Sequence, residues 1–173
     1  MHATEGENME INYVVDTGAL IFWPVERLTG AVASPKQQKE IYNLHPDRAI
    51  IIDALEIIWK NPSDKSIDKI IEIGKVTGDL SGLSSTDIDI LALAYEEDAK
   101  LITDDYRMQN LAKYMKIDWE SVSTEGIKEV WIWEIVCRGC KKVQEIPNLP
   151  YKNKKDSQVC SDCGSDVKLR KKK

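Results

Sequence analysis

Short apolar runs and amphipathic segments alternate along the first 119 residues of the chain. Alternating or continuous apolar runs predict strands at residues 11–15, 55–59, 99–103 and 117–119. Apolar residues at helical spacing predict helices that begin near residues 17, 35, 47, 66, 84 and 105. The run over residues 49–59 fits a helix or a strand, because a continuous apolar run does not distinguish the two. This alternation predicts an α/β fold with a parallel β-sheet flanked by helices.

The remainder of the chain has a different pattern. Residues 120–129 are polar with one glycine, which predicts a linker. Residues 131–136 predict a strand that leads directly into Cys137. The pattern therefore divides the chain into a body at 9–119, a linker at 120–129, a small β-rich module at 130–170 and a basic tail at 171–173.

Composition and charge support two modules. The 173-residue chain is 42% hydrophobic and 31% charged, which is typical of a globular protein and excludes wholesale disorder. It has no apolar run near the ~18–20 residues of a membrane span and no signal-peptide pattern, so we expect a cytoplasmic protein without a membrane partner. Residues 1–129 carry 13 Lys/Arg against 24 Asp/Glu, whereas residues 130–173 carry 11 against 5. This reversal from −11 to +6 indicates modules with different roles.

All four cysteines lie in the basic module, where Cys137 pairs with Cys140 and Cys160 with Cys163 in two Cys-x-x-Cys motifs. Each motif lets one tight turn direct both sulfurs at a single ion, and two motifs provide the four ligands of tetrahedral Zn²⁺. Two disulfides and a thioredoxin-like redox pair are the alternatives, which the cytosolic setting and the position outside the α/β body disfavour. The spacing therefore predicts one structural zinc, which folds a module too small to build its own core.

Carboxylates stand where active sites form in parallel α/β sheets, beyond the carboxyl ends of the strands. Asp16 follows the first strand, Asp104 and Asp105 follow a later strand, Asp87 begins a helix, and Glu40 falls late in another helix. Converging carboxylates repel one another, so a hard cation such as Mg²⁺ or Mn²⁺ would neutralise them and promote phosphodiester displacement by water. Aspartates are also ordinary helix N-caps, so the spacing alone leaves a purely structural role open.

Particular segments carry a resemblance to a known family. Residues 14–21 (VVDTGALI) are similar to the opening strand of PIN-domain nucleases, and residues 77–94, 101–106 and 109–112 form a more specific block. Together with the cysteine module, the chain resembles the archaeal NIN-one-binding (Nob-one) endoribonucleases over residues 9–170. The resemblance implies that the body is a PIN-like nuclease domain and that the basic module is a zinc ribbon.

The resemblance also implies roles for individual residues. The implied catalytic residues, which hold Mg²⁺ or Mn²⁺, are Asp16, Glu40, Asp87 and Asp105, with Asp104 as an adjoining cofactor-binding residue. Which of Asp104 and Asp105 faces the metal is left open. Asp53 and Glu56 are the alternatives to Glu40. Asp89 lies two residues from Asp87 on the same helix and should face elsewhere, so it is left out.

The implied activity is metal-dependent endonucleolytic cleavage of single-stranded precursor small-subunit rRNA at its 3′ end, in a pre-ribosomal small-subunit particle. The products would carry 5′-phosphate and 3′-hydroxyl ends. One alternative is a non-catalytic rRNA-binding assembly factor. Another is a toxin-type PIN ribonuclease acting on mRNA or tRNA, which the ribbon disfavours because toxin versions usually consist of the PIN module alone.

Charge further predicts a division of labour between the modules. The acidic body should repel a polyanion, whereas the ribbon keeps a net charge of about +4 with four thiolates and one Zn²⁺ counted. We therefore expect the ribbon to supply most of the RNA affinity, and loss of residues 130–173 to weaken binding and its salt dependence. A solvated lysine surface is the plainer alternative. Trp131, Trp133 and Tyr151 could stack bases, although tryptophan in a strand more often belongs to a core.

Overall fold

The computed structural model describes residues 13–123, 126, 129–145 and 159–172. The predicted base-stacking residue Tyr151 and residues 9–12 of the predicted body lie outside these ranges. The first sheet has five parallel strands, which are β1 (Tyr13–Val15), β2 (Val32–Ala33), β3 (Ile58–Trp59), β4 (Lys100–Ile102) and β5 (Trp119–Glu120). Their spatial order is β3-β2-β1-β4-β5, so β1 lies at the centre of the sheet.

Six helices cover the two faces of this sheet: α1 (Thr17–Phe22), α2 (Pro35–Leu44), α3 (Pro46–Asp53), α4 (Asp64–Thr77), α5 (Ser85–Glu96) and α6 (Tyr106–Met115). Successive strand residues point to opposite faces. Val14 and Leu101 therefore pack with α4, α5 and α6, while Val15 and Ile102 pack with α1, α2 and α3. The predicted parallel sheet flanked by helices is confirmed. Within the described residues, no helix is both long and apolar enough to cross a membrane.

The strand predictions differ from the structure in three places. β2 was not predicted, because a two-residue strand between Gly30 and Pro35 shows no periodicity. The strand predicted at 55–59 is present only as β3, since the amide of Leu55 still bonds to the carbonyl of Ile52 and continues the turn of α3. β5 ends one residue later than predicted, so Glu120 pairs with β4 instead of beginning the linker. The domain boundaries otherwise stay a prediction.

A second, antiparallel sheet contains the cysteines. Its strands are β6 (Trp133–Cys137), β7 (Val143–Gln144) and β8 (Val167–Lys171), in the order β7-β6-β8. The predicted strand at 131–136 is therefore found, shifted toward Cys137. This sheet confirms the small β-rich module that follows the α/β body.

A buried polar contact joins the two modules. The side-chain amide of Asn110 on α6 donates to the Trp131 carbonyl at 2.6 Å and to Asp79 at 2.7 Å, and its oxygen accepts from the Trp131 amide at 2.6 Å. Asp79 is fully buried, and burial raises its pKa to about 6 despite its hydrogen bonds to Asn110 and Thr77. Because one Asn side chain satisfies the backbone of Trp131 in both directions, the entry to β6 is held on the body.

The turn at Gly78 fixes the same contact from the other side. Gly78 has φ +81°, and a Cβ at this position would overlap the carbonyl and side chain of Trp133. A side chain here would therefore strain the backbone and also displace β6.

Replacement of Gly78 tests this junction. Gly30 provides a matched control, because it also has positive φ (+78°) but no atom lies within 4 Å of the point that a Cβ would occupy there. We expect Gly30→Ala to lower the free energy of unfolding by about 1 kcal/mol from backbone strain alone. Gly78→Ala should cost about 2 kcal/mol more, measured by urea unfolding, because overpacking adds to the strain. Equal losses for the two variants would show that the ribbon does not rest on this turn.

Candidate active site and cysteine cluster

Asp16 lies at the centre of the candidate site because β1 ends there beside β4. Its backbone amide donates to the Ile102 carbonyl at 3.0 Å, which draws the end of β1 against β4. Its side chain caps α1 by accepting from the Ala19 amide at 2.5 Å. The carboxylate is 8% exposed, so it combines a structural cap with a nearly buried charge.

Glu40 is held by two hydroxyl groups from neighbouring helices. Thr17 on α1 donates to one carboxylate oxygen of Glu40 at 3.2 Å, and Thr86 on α5 donates to the other at 2.7 Å. Thr17 follows Asp16 directly, and Thr86 precedes Asp87. The carboxylate of Glu40 therefore lies between the helices that begin with two other predicted site residues.

The alternatives to Glu40 lie elsewhere. Asp53 accepts a hydrogen bond from Tyr42 on the exposed surface of the α2–α3 pair, and Glu56 is exposed without a side-chain partner among the described residues. Asp89 is buried against Ser34 and Lys36, with Lys36 Nζ at 2.7 Å from its carboxylate. These contacts favour Glu40 over Asp53 and Glu56 and agree with the exclusion of Asp89.

Asp87 and Asp105 occupy the first turns of α5 and α6. The Asp87 carboxylate accepts from the Ser84 amide at 2.8 Å, while the Ser84 hydroxyl accepts from the Asp87 amide, which forms a capping box. Asp105 caps α6 by accepting from the Arg107 amide at 2.7 Å. A carboxylate has about four lone-pair positions, so a cap does not prevent it from also binding a cation.

Asp104 has a different set of partners from Asp105. Its carboxylate accepts from the amides of Val122 and Ser123, at 2.8 and 3.1 Å, and from the Ser123 hydroxyl at 2.6 Å. It therefore anchors the chain that follows β5. The structure favours Asp105 as the member of the doublet available to a metal, with Asp104 as a neighbouring charge.

Mutual repulsion and burial perturb these carboxylates. Burial raises the pKa of Asp16 to about 6, and the charges of Asp104 and Asp87 act in the same direction. Burial also raises the pKa of Asp87, helped by the charges of Asp105 and Glu40. The charges of Asp104 and Asp87 thus reach Asp16, and those of Asp105 and Glu40 reach Asp87. Excess buried negative charge of this kind fits a divalent cation bound by hard oxygen ligands. In the described residues, however, only the cysteines gather as a group of three or more candidate metal ligands.

The cysteines form the tightest group of candidate metal ligands in the described part of the chain. The four sulfurs lie within 4.8 Å of one another, with 3.4 Å between Cys137 and Cys163 and 3.6 Å between Cys140 and Cys160. Four thiolates about 2.3 Å from a central Zn²⁺ would be about 3.8 Å apart, whereas a disulfide requires about 2.05 Å. All four cysteines are free, so they are placed to bind a metal ion and are not disulfides here.

Backbone geometry prepares this cysteine cluster for metal binding. The amides of Gly139 and Cys140 donate to the Cys137 sulfur at 3.2 and 3.4 Å. Hydrogen bonds from Ser165 lower the pKa of Cys163 to about 6. The backbone of Lys142 lowers the pKa of Cys140 by a hydrogen bond, but burial and the neighbouring sulfurs outweigh it and raise that pKa to about 11. The hydrogen bonds to Cys137 and Cys163 favour thiolates, which are the metal-binding form of cysteine.

The tryptophans of the junction are not arranged as a base-stacking platform. Trp131 and Trp133 pack edge to face with ring centroids 5.7 Å apart, and the N–H groups of both indoles are buried. The structure agrees with the other interpretation of these tryptophans, in which they contribute to packing.

The chain is similar in sequence to proteins of known families. A family model described as the PIN domain of ribonuclease matches residues 13–96. The chain is 35% identical over 157 residues to Ribonuclease VapC1 of Thermoplasma acidophilum, which covers 90% of this chain and 76% of that protein. It is 37% identical over 109 residues to Endoribonuclease Nob1 of Pyrococcus abyssi, 62% of each chain. It is 32% identical over 161 residues to Endoribonuclease Nob1 of Methanocaldococcus jannaschii, 91% of this chain and 76% of that protein.

The fold, the acidic edge and the family match together define a PIN-domain nuclease, a class that uses divalent metal ions. The similarity to the Methanocaldococcus jannaschii protein covers 91% of this chain, so it extends beyond the α/β body into the cysteine-containing module. The chain belongs to the family of archaeal Nob1 endoribonucleases.

Several residues of the site were not predicted from sequence. Thr17 and Thr86 hold Glu40, and Asp79 and Asn110 hold the ribbon. The threonines adjoin predicted acids, so their positions could have indicated the role. Nothing in the sequence pattern alone distinguishes Asn110 from an ordinary polar residue on a helix.

The perturbed pKa of Asp16 predicts how metal binding depends on pH. The carboxyl group holds a proton below about pH 6, and a cation must displace that proton. Mn²⁺ affinity should therefore fall about tenfold per pH unit below 6 and level off above 7, measured by electron paramagnetic resonance of free Mn²⁺. Asp68→Asn, which changes an exposed aspartate on α4, should leave this profile unchanged. Affinity independent of pH between 5 and 7 would contradict a role for Asp16 as ligand.

Proposed function

We propose that this chain cleaves single-stranded precursor small-subunit rRNA at its 3′ end, in the cytoplasm and on a pre-ribosomal particle, with Mg²⁺ or Mn²⁺ as the catalytic ion. The carboxyl edge of the sheet supports the proposal most strongly, because burial raises the pKa of both Asp16 and Asp87 there and the charges of neighbouring predicted acids act in the same direction. Two relatives named Endoribonuclease Nob1 support the endonucleolytic class.

The four carboxylates have distinct duties in this proposal. Asp16 directly follows β1, and Asp105 lies three residues after the neighbouring strand β4, at the cap of α6, so both stand at the same edge of the sheet. Glu40 and Asp87 approach from α2 and α5, with Thr17 and Thr86 fixing the orientation of Glu40. When bound, a divalent cation supplies Lewis acidity for attack of water on a phosphodiester. The four carboxylates bind that ion. Without the ion, their negative charge repels the phosphate of the RNA.

Replacement of Asp16 tests the catalytic assignment. Asparagine keeps the cap on α1, because its side-chain oxygen can also accept from the Ala19 amide. Asp16→Asn should therefore fold normally yet lose at least about 10³-fold in Mn²⁺-dependent cleavage of a small-subunit rRNA 3′-end fragment. Asp68→Asn should cleave at the unsubstituted rate. Undiminished cleavage by Asp16→Asn would contradict the assignment, and tight binding without cleavage by the unsubstituted chain would favour an assembly factor.

A toxin-type ribonuclease is the second candidate, because Ribonuclease VapC1 aligns over 90% of this chain. That extent includes most of the ribbon, so the presence of the ribbon does not separate the two candidates. Sequencing the 5′-phosphate ends produced from total archaeal RNA distinguishes them. A single cut at the 3′ end of small-subunit rRNA supports the proposal, whereas cuts concentrated in mRNA or tRNA support the second candidate.

We also propose that the cysteine cluster holds one structural Zn²⁺. Four sulfurs without carboxylate or imidazole neighbours are a donor set that favours Zn²⁺ over the hard cations of the acidic site. The protein should contain one zinc per chain by atomic emission spectroscopy, and Cys160→Ser should release it. Because Cys160 is buried and its amide bonds to the Ser165 carbonyl, this variant should also lose the fixed packing of Trp133 on β6, measured by near-ultraviolet circular dichroism. Retention of zinc in Cys160→Ser would contradict the assignment.

We propose that the ribbon supplies most of the RNA affinity. Fewer of its cations are available to RNA than the 11 Lys and Arg residues of the segment 130–173, because several form ion pairs. Arg170, Lys171 and Lys142 form ion pairs with Glu134, Glu129 and Asp162. Lys168 on β8 and Lys172 just after it are exposed and have no such partner among the described residues. These two lysines are therefore the better candidates for phosphate contact.

Paired charge removal tests this division without removing the ribbon, whose loss would uncover Gly78 and Asp79. Lys168→Gln with Lys172→Gln should reduce the slope of log affinity against log salt by about 1.4, since each contact with single-stranded RNA contributes about 0.7. Lys65→Gln with Lys75→Gln on α4 is the control of equal charge and should leave the slope unchanged. Equal slopes for both double variants would show that the ribbon does not capture the RNA.

A further inference from the structure

Arg107 is an arginine near the acidic edge that makes too few contacts for a structural role to explain it. It lies in the first turn of α6, two residues after Asp105, and its side chain is exposed. Among the described residues it has no carboxylate within 4 Å, and its one hydrogen bond is a 3.4 Å contact with the Gly82 carbonyl. The other two arginines of the body both have structural partners. Arg27 pairs with Glu120 over Trp23, and Arg48 donates to two backbone carbonyls at the end of α1.

The guanidinium group of Arg107 occupies the space that a side chain at Gly82 would fill. A Cβ at Gly82 would overlap Cζ and Nε of Arg107. Gly82 does not have positive φ, so its backbone conformation does not itself require glycine. The absence of a side chain there lets the guanidinium approach the backbone just before Ser84, which caps the helix of Asp87.

The position of Arg107 along α6 lies between the two functional parts of the chain. Asp105, at the N-cap, belongs to the acidic edge, and Asn110 binds the backbone of Trp131 where the ribbon begins. These two residues are about 7.5 Å apart along the helix axis, at 1.5 Å per residue. Along the axis Arg107 lies between them, but its side chain projects to the other side of the helix from Asp105. Its guanidinium lies against Gly82, two residues before the cap of the helix that carries Asp87, so an RNA strand that reaches Asp87 along this side would pass it.

A second cation at this edge cannot perform the same role. Lys36 on α2 lies 2.7 Å from Asp89, a 4% exposed carboxylate whose charge it neutralises. Removing Lys36 from that contact would leave a buried charge unpaired, which is costly. Arg107 has no such commitment, although its positive charge lowers the pKa of Asp79 from a longer distance.

We infer that Arg107 binds a phosphate of the RNA backbone next to the cleaved linkage, on the side that leads to the ribbon. The inference rests on the proposed function. Arginine suits the task because its planar group presents paired N–H donors to phosphate oxygens. In a body of net charge −11, one such cation beside the carboxylates offsets their repulsion of the incoming strand and fixes which phosphate reaches them.

Substitution at Arg107 and Gly82 tests the inference. Binding is measured by fluorescence anisotropy of a single-stranded RNA spanning the small-subunit 3′ end, with Mn²⁺ present and with Asp16→Asn in every protein to prevent cleavage. Arg107→Gln should weaken binding about five- to tenfold at low salt and reduce the salt slope by about 0.7. Arg107→Lys should keep the slope. Gly82→Ala, which keeps the arginine but displaces its guanidinium, should weaken binding partway toward Arg107→Gln.

Neutral linkages in the RNA locate the contact. A series of RNAs, each with one methylphosphonate, should include one linkage beside the cleavage position that weakens binding of the Asp16→Asn protein. The same linkage should have no further effect when Arg107→Gln is also present. Lys65→Gln is the control, because Lys65 is exposed near Tyr95 at the opposite end of α5 from Asp87. All variants should melt within about 2 °C of their parent, since an exposed side chain contributes little to stability.

The outcomes separate this inference from the proposed function. If the unsubstituted chain does not cleave or bind the RNA, the proposed function and this inference both fail. If it cleaves, but Arg107→Gln matches Lys65→Gln in affinity and salt slope, only the inference fails. An equal effect of the neutral linkage with and without Arg107 would also overturn the inference.

Discussion

Burial of acidic side chains at the carboxyl edge of the parallel sheet, to which repulsion among them adds, is the constraint on which the rest of the structure depends. β1 and β4 are neighbours at the centre of the sheet, so the chain places Asp16 and the Asp104–Asp105 doublet side by side. Burial and like charge then raise the pKa of Asp16 to about 6. A folded chain that keeps these groups ionised near neutral pH gives up stability at that edge, and a bound divalent cation restores it.

Hydrogen bonds hold the repelling groups in place. Asp16, Asp87 and Asp105 each accept backbone amides at the start of a helix, where the helix dipole also favours negative charge. Glu40 has no such cap and depends on the hydroxyls of Thr17 and Thr86. The interpretation of the aspartates as ordinary caps and the interpretation as metal ligands are therefore compatible, since the caps provide the rigidity that a metal site requires.

The fold class could be predicted from the spacing of apolar residues, because the long helices show a clear apolar pattern. α4 and α6 have apolar stripes, α5 is buried on nearly all sides, and the two Cys-x-x-Cys motifs correctly predicted that the four sulfurs lie together. The two-residue strand β2 could not be predicted, because too few residues remain to show a period. The choice between Asp104 and Asp105 and the junction at Asn110 also depended on tertiary contacts between residues distant in sequence, which no local pattern encodes.

The central claim is that the ionised carboxylate of Asp16 destabilises the metal-free fold and binds the cation. Thermal melting at pH 8 with and without Mn²⁺ tests this claim most directly. At this pH the carboxyl is ionised in both the folded and the unfolded chain, so its raised pKa of about 6 in the fold is fully expressed as a loss of stability. In metal-free buffer, Asp16→Asn should melt several degrees above the unsubstituted chain. With Mn²⁺ the unsubstituted chain should gain stability and the variant should gain little. A metal-free variant that melts lower, together with equal responses to Mn²⁺, would contradict the account.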